Sequence, residues 1–432
     1  MSAVAHTRVG DAVQVSLQFL DDNFGRSAAG RTVGVRLWDG TRWPDDNPRP
    51  VTLMLNHPGA LRAMFLPGNE LGLAEAYLFN DFDIEGDIIQ VFVLADILST
   101  TTSGWKKKLK AAQNLFKLPE PPKHDTNRRP TNRISGERHS IERDKQAVTY
   151  HYNVSNDFYQ LFLDQRMVYS CAYFETPETD LDSAQTAKLD YICRKLRLQP
   201  GQKLLDIGCG WGGLVMYAAQ HYGVDATGIT LSQPQADLAC QRIADAGLSE
   251  HCCVQVVDYR LFGEPQTYDA LVSVGMFEHV GQAKLPVYFK QAYNLVKPGG
   301  VFLNHGIASR AGDPPWNADN FNDAYVFPDG ELIPINVTLH MAEESGFEVR
   351  DVESLREHYA LTLRHWVNRL EAHHTEALQY VDEFTYRIWR LYMSGSVHGF
   401  NIGFNKIYQT LLVRPDESGR SGLPLTRGDW YR

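Results

Sequence analysis

The stretch "KLLDIGCGWGGLVMYAAQHYG", residues 203–223, decides the fold of this chain. Its apolar start predicts a buried strand, and the apolar run that ends at Gly223 predicts a helix. Between them, Gly208, Gly210 and Gly213 form a GxGxxG turn. Such a turn brings backbone amides and the N-terminus of a helix against a bound ligand. Taken alone the motif is weakly specific, because a tight turn is also needed where a strand and a helix only pack together.

The segments around this turn continue the alternation of strands and helices. Strands are predicted at "VDATGITLS", "CVQVVD", "YDALVSV" and "VFLNHGIA", and helices at "QPQADLACQRIADAGL" and "KLPVYFKQAYNLVKPGG". Repeated β–α units predict a parallel sheet with helices on both of its faces. The region from about 185 to 310 is therefore predicted to be an α/β domain.

Composition divides the rest of the chain into regions. The first part mixes strand-like and helical runs, which predicts a small α+β domain, and the basic, proline-rich and asparagine-rich stretch after it is typical of a linker. The predicted boundaries are 1–102 for the N-terminal domain, 103–145 for the basic linker, 146–412 for the domain with the glycine turn, and 413–432 for a polar C-terminal extension. The linker is also predicted to begin with a short basic amphipathic helix, whose apolar residues are Trp105, Leu109, Leu115 and Phe116.

The bulk composition excludes several classes of protein. Of the 432 residues, 43% are hydrophobic and 22% are charged, which is typical of a globular protein. The formal net charge of −10 argues against general affinity for nucleic acids. The six cysteines form no CxxC pair, so a reducing compartment is predicted rather than a disulfide scaffold. The sequence shows neither a signal peptide nor an apolar run that could span a bilayer, so we expect a cytoplasmic protein.

The end of the second strand argues against a dinucleotide ligand. A site for NAD predicts an acidic residue there, which binds the ribose hydroxyl groups. The strand ends instead in "ITLSQPQ", which offers Thr230, Ser232 and Gln235, whereas Asp225 precedes the strand at the wrong end. An NAD-dependent enzyme is therefore the less favoured interpretation of the glycine turn.

The residue that leads the glycine turn points to a different cofactor. The segment "LDIGCGWG", with Asp206 in front, resembles motif I of the class I S-adenosylmethionine-dependent methyltransferases, whose Rossmann-like core is a mostly parallel sheet of seven strands. "VVDY" places Asp258 and Tyr259 at the end of the third strand, where that fold holds adenine. "LVKPGG" precedes the fifth strand, as is common in the class. The resemblance implies S-adenosylmethionine as the methyl donor.

Five further segments narrow the resemblance to one family. In chain order they are "HYNVSNDFYQLFLDQRMVYSCAYF", "TLSQPQ", "GMFEHVG", "NHGIAS" and "HYALTLRHW". Together they resemble the cyclopropane fatty acid synthase and mycolic acid cyclopropane synthase family over roughly residues 140–395, with a fainter match at "GNELGLAEAYLFNDFDIEGDI". The resemblance implies a helical lid over a lipid tunnel. From the methionine end to the adenine end, the residues implied for the cofactor are Tyr169, Ser170, Asp206, Gly208, Gly210, Thr230, Gln235, Asp258 and Tyr259.

Cyclopropane formation explains why the family needs its other residues. The double bond of an acyl chain takes the methyl group, a carbocation remains, and ring closure requires a proton to leave the new methyl. In the family the base is understood to be a bound bicarbonate, and the resemblance implies that it is held by Cys171, Glu278, His305, Tyr359 and the amide of Ile307. Glu278 is expected to accept a hydrogen bond from the hydroxyl of this ion, which offsets the cost of burying a carboxylate after the strand "YDALVSV".

Each of these residues also has a simpler structural interpretation. Cys171 is alternatively a small buried hydrophobe, Glu278 an acid at a helix N-terminus, and His305 a core histidine bonded to backbone. Tyr359 has the weakest support, because "HYALTLRHW" keeps only part of the family pattern. We interpret His279 as structural, and the lack of HExxH and CxxC groupings predicts no metal site.

The substrate that the family implies lies in a membrane. To reach an acyl chain within a phospholipid, the enzyme must bind a bilayer surface, and the basic stretch 103–117 is one candidate for that contact, at about 1 kcal/mol per lysine at most. An ordinary solvated helix is the alternative. By the resemblance we expect a peripheral protein at the inner face of the membrane, and a homodimer formed through the N-terminal domain.

Three alternatives to a cyclopropane product stay open. The same site would form a methylene-branched chain if the proton left another carbon after a hydride shift, and a partner reductase could then produce a methyl branch. The unmatched segment "YQTLLVRPDESGRSGLPLTRGDWYR" keeps this alternative open. A small-molecule methyltransferase would not need Cys171, Glu278 and His305, and a non-catalytic lipid-binding protein would keep the tunnel without transferring a methyl group.

Overall fold

The structure is a computed structural model that describes residues 2–25, 32–94, 105–125, 134–152, 154–313 and 320–431. The chain forms two compact units. The first consists of Met1–Arg129, Asp319–Val326 and Asp382–His398, and the second of Pro130–Ala318, Phe327–Val381 and Gly399–Arg432.

Helices and strands in the described residues are numbered in chain order. The helices are α1 (Ser2–Phe24), α2 (Ala60–Phe65), α3 (Glu70–Leu78), α4 (Trp105–Lys117), α5 (Ile141–Tyr152), α6 (Asn156–Gln160), α7 (Leu181–Leu196), α8 (Gly213–Tyr222), α9 (Gln233–Asp245), α10 (Leu285–Leu295), α11 (Phe321–Tyr325), α12 (Ile335–Glu344), α13 (Arg356–Ala372), α14 (His374–Ala377) and α15 (Glu383–Asn401). The strands are β1 (Val33–Arg36), β2 (Arg42–Trp43), β3 (Val51–Leu55), β4 (Phe82–Gly86), β5 (Lys203–Ile207), β6 (Asp225–Thr230), β7 (Cys252–Val256), β8 (Tyr268–Val274), β9 (Val296–Ala308), β10 (Glu348–Ser354) and β11 (Lys406–Val413). Short 3₁₀ turns lie at Ile88–Val91, Tyr259–Leu261, Phe277–His279 and Gln282–Lys284. In this part of the chain, none of the helices combines the length and the apolar character that crossing a bilayer requires.

The first unit contains a four-stranded sheet. Its order is β2-β1-β3-β4, with β1 and β3 parallel and the other neighbours antiparallel. Alternate residues of β3, Val51, Leu53 and Leu55, are buried, as expected for a strand that presents one face to a core. Strands and helices occur together here, which confirms the predicted separate α+β region.

The basic helix predicted at the start of the linker is present as α4, and it belongs to the first unit. Leu115 is buried, whereas Leu109 and Phe116 are 52% and 61% exposed. The carbonyl of Leu118, just after the helix, accepts a hydrogen bond from Arg62 at 3.1 Å. The predicted limits of the linker therefore differ from the structure, because an apolar residue of α4 is buried in this unit. The side chain of Trp105 lies outside the described residues.

Residues 382–398, predicted as part of the domain with the glycine turn, also group with the first unit. Arg387 donates hydrogen bonds to the carbonyl of Tyr77 at 2.9 Å and to Asp83 at 2.8 Å. A buried, charged side chain with these partners ties this part of α15 to α3 and β4. The predicted range 146–412 is thus interrupted in the structure.

The second unit is built on a seven-stranded sheet in the order β10-β11-β9-β8-β5-β6-β7. All neighbours are parallel except β11, which runs antiparallel to both β9 and β10. The predicted α/β core with a mostly parallel sheet is confirmed. Because the strand order reverses between β5 and β8, the loops at their carboxyl ends diverge and leave a crevice, where such sheets bind ligands.

Helix α7 covers one face of this sheet. Asp180 caps its N-terminus by accepting a hydrogen bond from the amide three residues later. Leu189 and Ile192 are buried in the core that α7 shares with β5 and β9, each contributing roughly 1.5–3 kcal/mol. The same helix carries Lys188 and Lys195, which are only 1% and 0% exposed. Two buried lysines on one helix need partners inside the protein.

Strand β11 and the residues after it differ from the prediction. None of the predicted strands directly precedes the predicted polar extension at 413–432, yet β11 fills the position between β9 and β10. Within the extension, Trp430 is 2% exposed, and Asp429 accepts two hydrogen bonds of 3.0 Å from Arg197. Most of β11 is buried, so it lacks the alternation by which a strand is recognised.

Candidate active site

The glycine turn between β5 and α8 has a backbone conformation that favours glycine. Gly208 and Gly210 have φ angles of +87° and +55°. A Cβ atom on Gly208 would lie 2.6 Å from the Cβ of Met276, whereas one on Gly210 would face open space. The turn is therefore packed against the loop after β8 on one side and leaves room on the other, as a ligand-binding turn requires.

A cavity at the carboxyl ends of β5, β6 and β8 brings together every residue predicted for the cofactor. The predicted residues in its wall are Tyr169, Ser170, Asp206, Gly208, Gly210, Thr230, Gln235, Asp258 and Tyr259. The cavity lies within the second unit, at the reversal of strand order. It also contains Lys188, Arg260 and His279, which the sequence analysis did not assign to the cofactor.

Uncharged groups occupy the end of β6. The hydroxyl of Thr230 donates to Oε1 of Gln235 at 3.0 Å and accepts from the amide of Ser232 at 3.2 Å. Because its oxygen is taken, Gln235 offers its NH₂ group as a donor in the cavity wall. The place where an NAD site has a carboxylate is thus filled by a threonine–glutamine pair.

The carboxylate of Asp258 is held by a neighbouring guanidinium. Arg260 donates to its two oxygens at 2.8 and 2.6 Å and to Asp144 at 3.0 Å. The hydrogen bonds to Asp258 raise the pKa of Arg260, so it stays charged. Asp258 therefore forms an ion pair in the cavity wall. Its partner is the arginine two positions later in the chain, but the sequence alone does not show that the two side chains pair.

A buried lysine lies beside the residues predicted for the methionine end. Nζ of Lys188 donates to the hydroxyl of Ser170 at 2.8 Å. Burial lowers the pKa of Lys188 to about 8, while the neighbouring charge of Asp206 raises it. Burial raises the pKa of Asp206 to about 7, and its Oδ1 is inaccessible to solvent and without a hydrogen-bond partner among the described residues. The cavity thus contains a carboxyl group and an amino group close together, and no sequence motif pointed to Lys188.

These groups fit S-adenosylmethionine. Its amino-acid end carries an ammonium and a carboxylate, which match the open oxygen of Asp206 and the ammonium of Lys188. Its ribose carries hydroxyl groups, which match Thr230 and Gln235. The glycine turn leaves room for close approach of the ligand to the backbone.

Glu278 and Ile307 are predicted catalytic residues that contact each other directly. Glu278 lies on the 3₁₀ turn after β8, and its Oε1 accepts a hydrogen bond from the amide of Ile307 at 2.7 Å. The family resemblance implies that this amide binds bicarbonate; in the structure it donates to Glu278, because a buried carboxylate needs a nearby donor. Burial raises the pKa of Glu278 to about 7. Its Oε2 is shielded from solvent and has no hydrogen-bond partner in the described part of the chain.

His305 lies two residues earlier on β9 and is buried. Its Nδ1 lies 3.5 Å from the amide nitrogen of Gln409, on the facing residue of β11. Its Nε2 is buried, and no described residue bonds it. Burial, followed by the charges of Lys188 and Lys195, lowers the pKa of His305 well below its usual value. The imidazole is therefore neutral at pH 7, and its partner is a side chain rather than backbone.

The thiol of Cys171 and the backbone amide of Tyr359 contact the same carbonyl group. The carbonyl of Leu355 lies 3.7 Å from Sγ of Cys171 and accepts from the amide of Tyr359 at 3.1 Å. Leu355 itself donates to Ile407, which pairs with Ile307 across β9 and β11. The carbonyl that both residues contact thus belongs to a backbone segment tied to β11 opposite Ile307 of β9. Burial raises the pKa of the Cys171 thiol, so it stays protonated and is not a nucleophile at neutral pH.

His279, interpreted from sequence as structural, lies in the wall of the cofactor cavity. Its ring packs edge-on against Phe327, with centroids 5.7 Å apart. Burial lowers its pKa to about 4, so it is neutral at pH 7. It therefore offers the cavity an uncharged ring.

Residues 139–410 match the family described as mycolic acid cyclopropane synthetase. The chain is 42% identical over 402 residues to a protein of Pseudomonas putida named "Probable fatty acid methyltransferase". This match covers 92% of this chain and 96% of that protein. The chain is also 37% identical over 269 residues to the cyclopropane-fatty-acyl-phospholipid synthase of Escherichia coli. This match covers 62% of this chain and 68% of that protein.

Solved structures show the same likeness. The mycolic acid cyclopropane synthase CmaA1, complexed with SAH and CTAB, has a TM-score of 0.59 and 36% sequence identity, over 62% of this chain and 97% of that chain. The matched region contains both the cofactor cavity and the residues around Glu278. We conclude that the chain belongs to the mycolic acid cyclopropane synthetase family and is an S-adenosylmethionine-dependent methyltransferase.

Proposed function

We propose that this enzyme adds one carbon from S-adenosylmethionine to the double bond of an unsaturated acyl chain in a phospholipid and closes a cyclopropane ring. When bound, S-adenosylmethionine supplies an electrophilic methyl group. The relatives support the coarser activity, a fatty acid methyltransferase or cyclopropane synthase. The observation that supports the finer one is a buried polar cluster near the cofactor cavity, in which Glu278 and His305 each keep one polar atom without a partner in the described residues.

The open atoms of this cluster suit a small oxyanion such as bicarbonate. Glu278, with a pKa of about 7 and one oxygen tied to the amide of Ile307, has its second oxygen available for the hydroxyl of such an ion. The neutral imidazole of His305 is a poor base, because its pKa is well below the usual value, but its ring N–H can donate. When bound, bicarbonate would supply the base that removes a proton from the new methyl group.

The protonated thiol of Cys171 supports the same division of roles. A thiolate near a carbocation would combine with it, whereas a buried thiol with a raised pKa does not. Its Sγ lies against the carbonyls of Ala172 and Leu355 at 3.3 and 3.7 Å. We infer that Cys171 shapes the site and does not form a covalent bond during the reaction.

A methylene-branched product is the second candidate. One observation favours it: the Pseudomonas putida relative, named a probable fatty acid methyltransferase, matches 92% of this chain, whereas the Escherichia coli cyclopropane synthase matches 62%. The two products need the same first step and differ in which carbon of the cation loses its proton. A partner reductase would then complete a methyl branch.

Product analysis decides between the two. Purified enzyme is incubated with S-adenosylmethionine and oleoyl phospholipid vesicles, and the fatty acid methyl esters are analysed by gas chromatography and mass spectrometry before and after ozonolysis. Each product adds one CH₂, but ozone cleaves the methylene chain and leaves the cyclopropane intact. A product that survives ozone supports the proposal, a cleaved product supports the alternative, and no added carbon refutes both.

Matched variants connect the activity to the cluster. We expect Glu278→Gln to lose product formation while it still binds S-adenosylmethionine, because the amide of Ile307 keeps its acceptor but the charge is lost. Glu250→Gln changes an exposed carboxylate in the same unit and is the control. Full activity of Glu278→Gln would contradict the proposed role of this carboxylate.

We also propose that the enzyme binds anionic membranes through α4 and forms a homodimer through its first unit. Lys110 is exposed and lies 3.0 Å from Asp22, and the side chains of Lys106, Lys107 and Lys108 are outside the described residues. Changing all four lysines to glutamate should abolish sedimentation with phosphatidylglycerol vesicles at low salt. Unchanged sedimentation would refute the contact, and a monomeric mass in light scattering would refute the dimer.

A further inference from the structure

The imidazole of His305 ends a chain of buried polar groups that runs from α7 to β11. Its Nδ1 lies 3.5 Å from Nε2 of Gln409, and Oε1 of Gln409 accepts a hydrogen bond from Nζ of Lys195 at 2.9 Å. His305 and Gln409 are direct partners across β9 and β11, so their side chains share one face of the sheet. All three side chains are at most 1% exposed, so no solvent competes for these contacts.

The order of donors and acceptors along this chain is forced. A lysine ammonium can only donate, so Lys195 must bond the oxygen of the Gln409 amide. The NH₂ group of that amide is then the end that faces His305, and it too can only donate. Nδ1 of His305 must therefore accept and carries no proton. Since a neutral imidazole holds one proton, that proton is on Nε2.

Lys195 is itself fixed by several partners. It donates to Glu353 and lies 3.7 Å from Asp351. Its ammonium is 4.4 Å from the centroid of the Tyr191 ring, and the hydroxyl of Tyr191 donates to Glu353 at 2.9 Å. A cation with this many partners cannot rotate away from Gln409 without losing several of them, so the amide has no second stable orientation.

The C-terminal residues close this network. Arg427 forms an ion pair of 3.0 Å with Asp351, and the ring of Trp430 lies 5.5 Å from Nζ of Lys195. The C-terminal segment that matched none of the sequence motifs therefore packs against Lys195, the charged end of the series of polar groups that leads to His305.

We propose that Lys195 and Gln409 are positioning residues that hold His305 in its Nε2–H tautomer, so that His305 acts as a neutral hydrogen-bond donor to a small oxyanion. The oxyanion rests on the proposed function, in which it is the base, whereas the tautomer rests only on the contacts within the protein. The buried Nε2, which no described residue bonds, is the atom that would donate.

Nitrogen-15 spectra of the ligand-free enzyme test this directly. With ¹⁵N-labelled histidine, long-range ¹H–¹⁵N correlations separate protonated from unprotonated ring nitrogens, and His305→Gln identifies the resonances that belong to this residue. We expect His305 to show a protonated Nε2 and an unprotonated Nδ1, unchanged between pH 6 and pH 8. A protonated Nδ1 in the wild-type enzyme would overturn the inference.

An isosteric variant tests the cause. Gln409→Glu replaces the NH₂ group by an acceptor oxygen and leaves the other oxygen for Lys195, so Nδ1 of His305 should become protonated and kcat should fall by at least tenfold. Gln291→Glu, on α10, changes a glutamine that bonds the carbonyl of Phe262 and should alter neither. An unprotonated Nδ1 in a folded Gln409→Glu would overturn the inference, and if this variant does not fold, the wild-type spectrum decides.

The tautomer and the reaction fail separately. Because the tautomer is measured without substrate, a protonated Nδ1 refutes the inference even in an enzyme that makes cyclopropane. An enzyme that adds no carbon to oleoyl phospholipid refutes the proposed function, while a protonated Nε2 still supports the roles of Lys195 and Gln409.

Discussion

Replacing Glu278 by glutamine should make the stability of this protein less dependent on pH. Burial raises the pKa of this carboxyl from 4.5 to about 7. The folded protein therefore binds this proton more tightly than the unfolded chain, so Glu278 destabilises the fold once the pH exceeds the unfolded value of 4.5. The cost grows as the pH rises and is complete above the folded value near 7.

The size of this effect follows from the shift. One pKa unit corresponds to about 1.4 kcal/mol, so the full cost is on the order of 3 kcal/mol, of which about 0.8 kcal/mol is present at pH 5. Glutamine keeps the oxygen that accepts from Ile307 but does not ionise. Relative to wild type, Glu278→Gln should gain about 2.5 kcal/mol between pH 5 and pH 8, on the order of 5 °C in melting temperature for a unit of this size.

Differential scanning calorimetry at both pH values measures this difference. Each melting temperature of the variant is compared with wild type in the same buffer, so that the titration of all other groups cancels. Glu250→Gln, an exposed substitution in the same unit, should show no change with pH. A Glu278→Gln difference that is the same at pH 5 and pH 8 would show that this carboxylate is not held in a desolvated site.

Three further substitutions or reactions test the cofactor cavity and the thiol. Lys188→Met should weaken binding of S-adenosylmethionine about tenfold in calorimetric titrations, because it removes a buried ammonium from the cavity wall. Lys290→Met, at an exposed position, should not weaken it, and equal affinities of the two variants would exclude a role for Lys188. In urea titrations, Gly208→Ala should lower the free energy of unfolding by about 1–3 kcal/mol more than Gly299→Ala. Both glycines have a positive φ, but only at Gly208 would the added Cβ lie 2.6 Å from the Cβ of Met276, so equal losses would contradict the close packing. Iodoacetamide at pH 8 should leave Cys171 unmodified in the folded enzyme while it labels the exposed Cys240 and Cys253, as measured by mass spectrometry. If Cys171 were labelled as fast as these two, the raised pKa of its thiol would be refuted.

The cofactor half of the site was predictable because its signals are local. The turn from Asp206 to Gly213 needs particular residues at particular positions, and the same is true of the end of β6. The relation of Lys188 to this turn was not predictable, because a lysine in an amphipathic helix is normally exposed and only the tertiary fold buries it.

The residues that orient His305 could not be predicted from the sequence, for a different reason. Lys195 and Gln409 contact each other across 214 residues, and Gln409 stands in a strand that is buried on most of its length. Neither fact leaves a periodic pattern in the sequence. The family resemblance supplied His305 itself, but the groups that orient it follow only from the pairing of β9 with β11.

The place of β11 in the sheet also constrains how the protein can be synthesised. Of the described strands, β11 is the last to leave the ribosome, yet it lies between two strands that have been made long before. Until it arrives, β9 and β10 each present an open edge to which another nascent chain can pair. Closing that gap and bringing Gln409 beside His305 are the same event. A polypeptide that stops before Lys406 is therefore expected to aggregate rather than to persist as a folded enzyme with reduced activity.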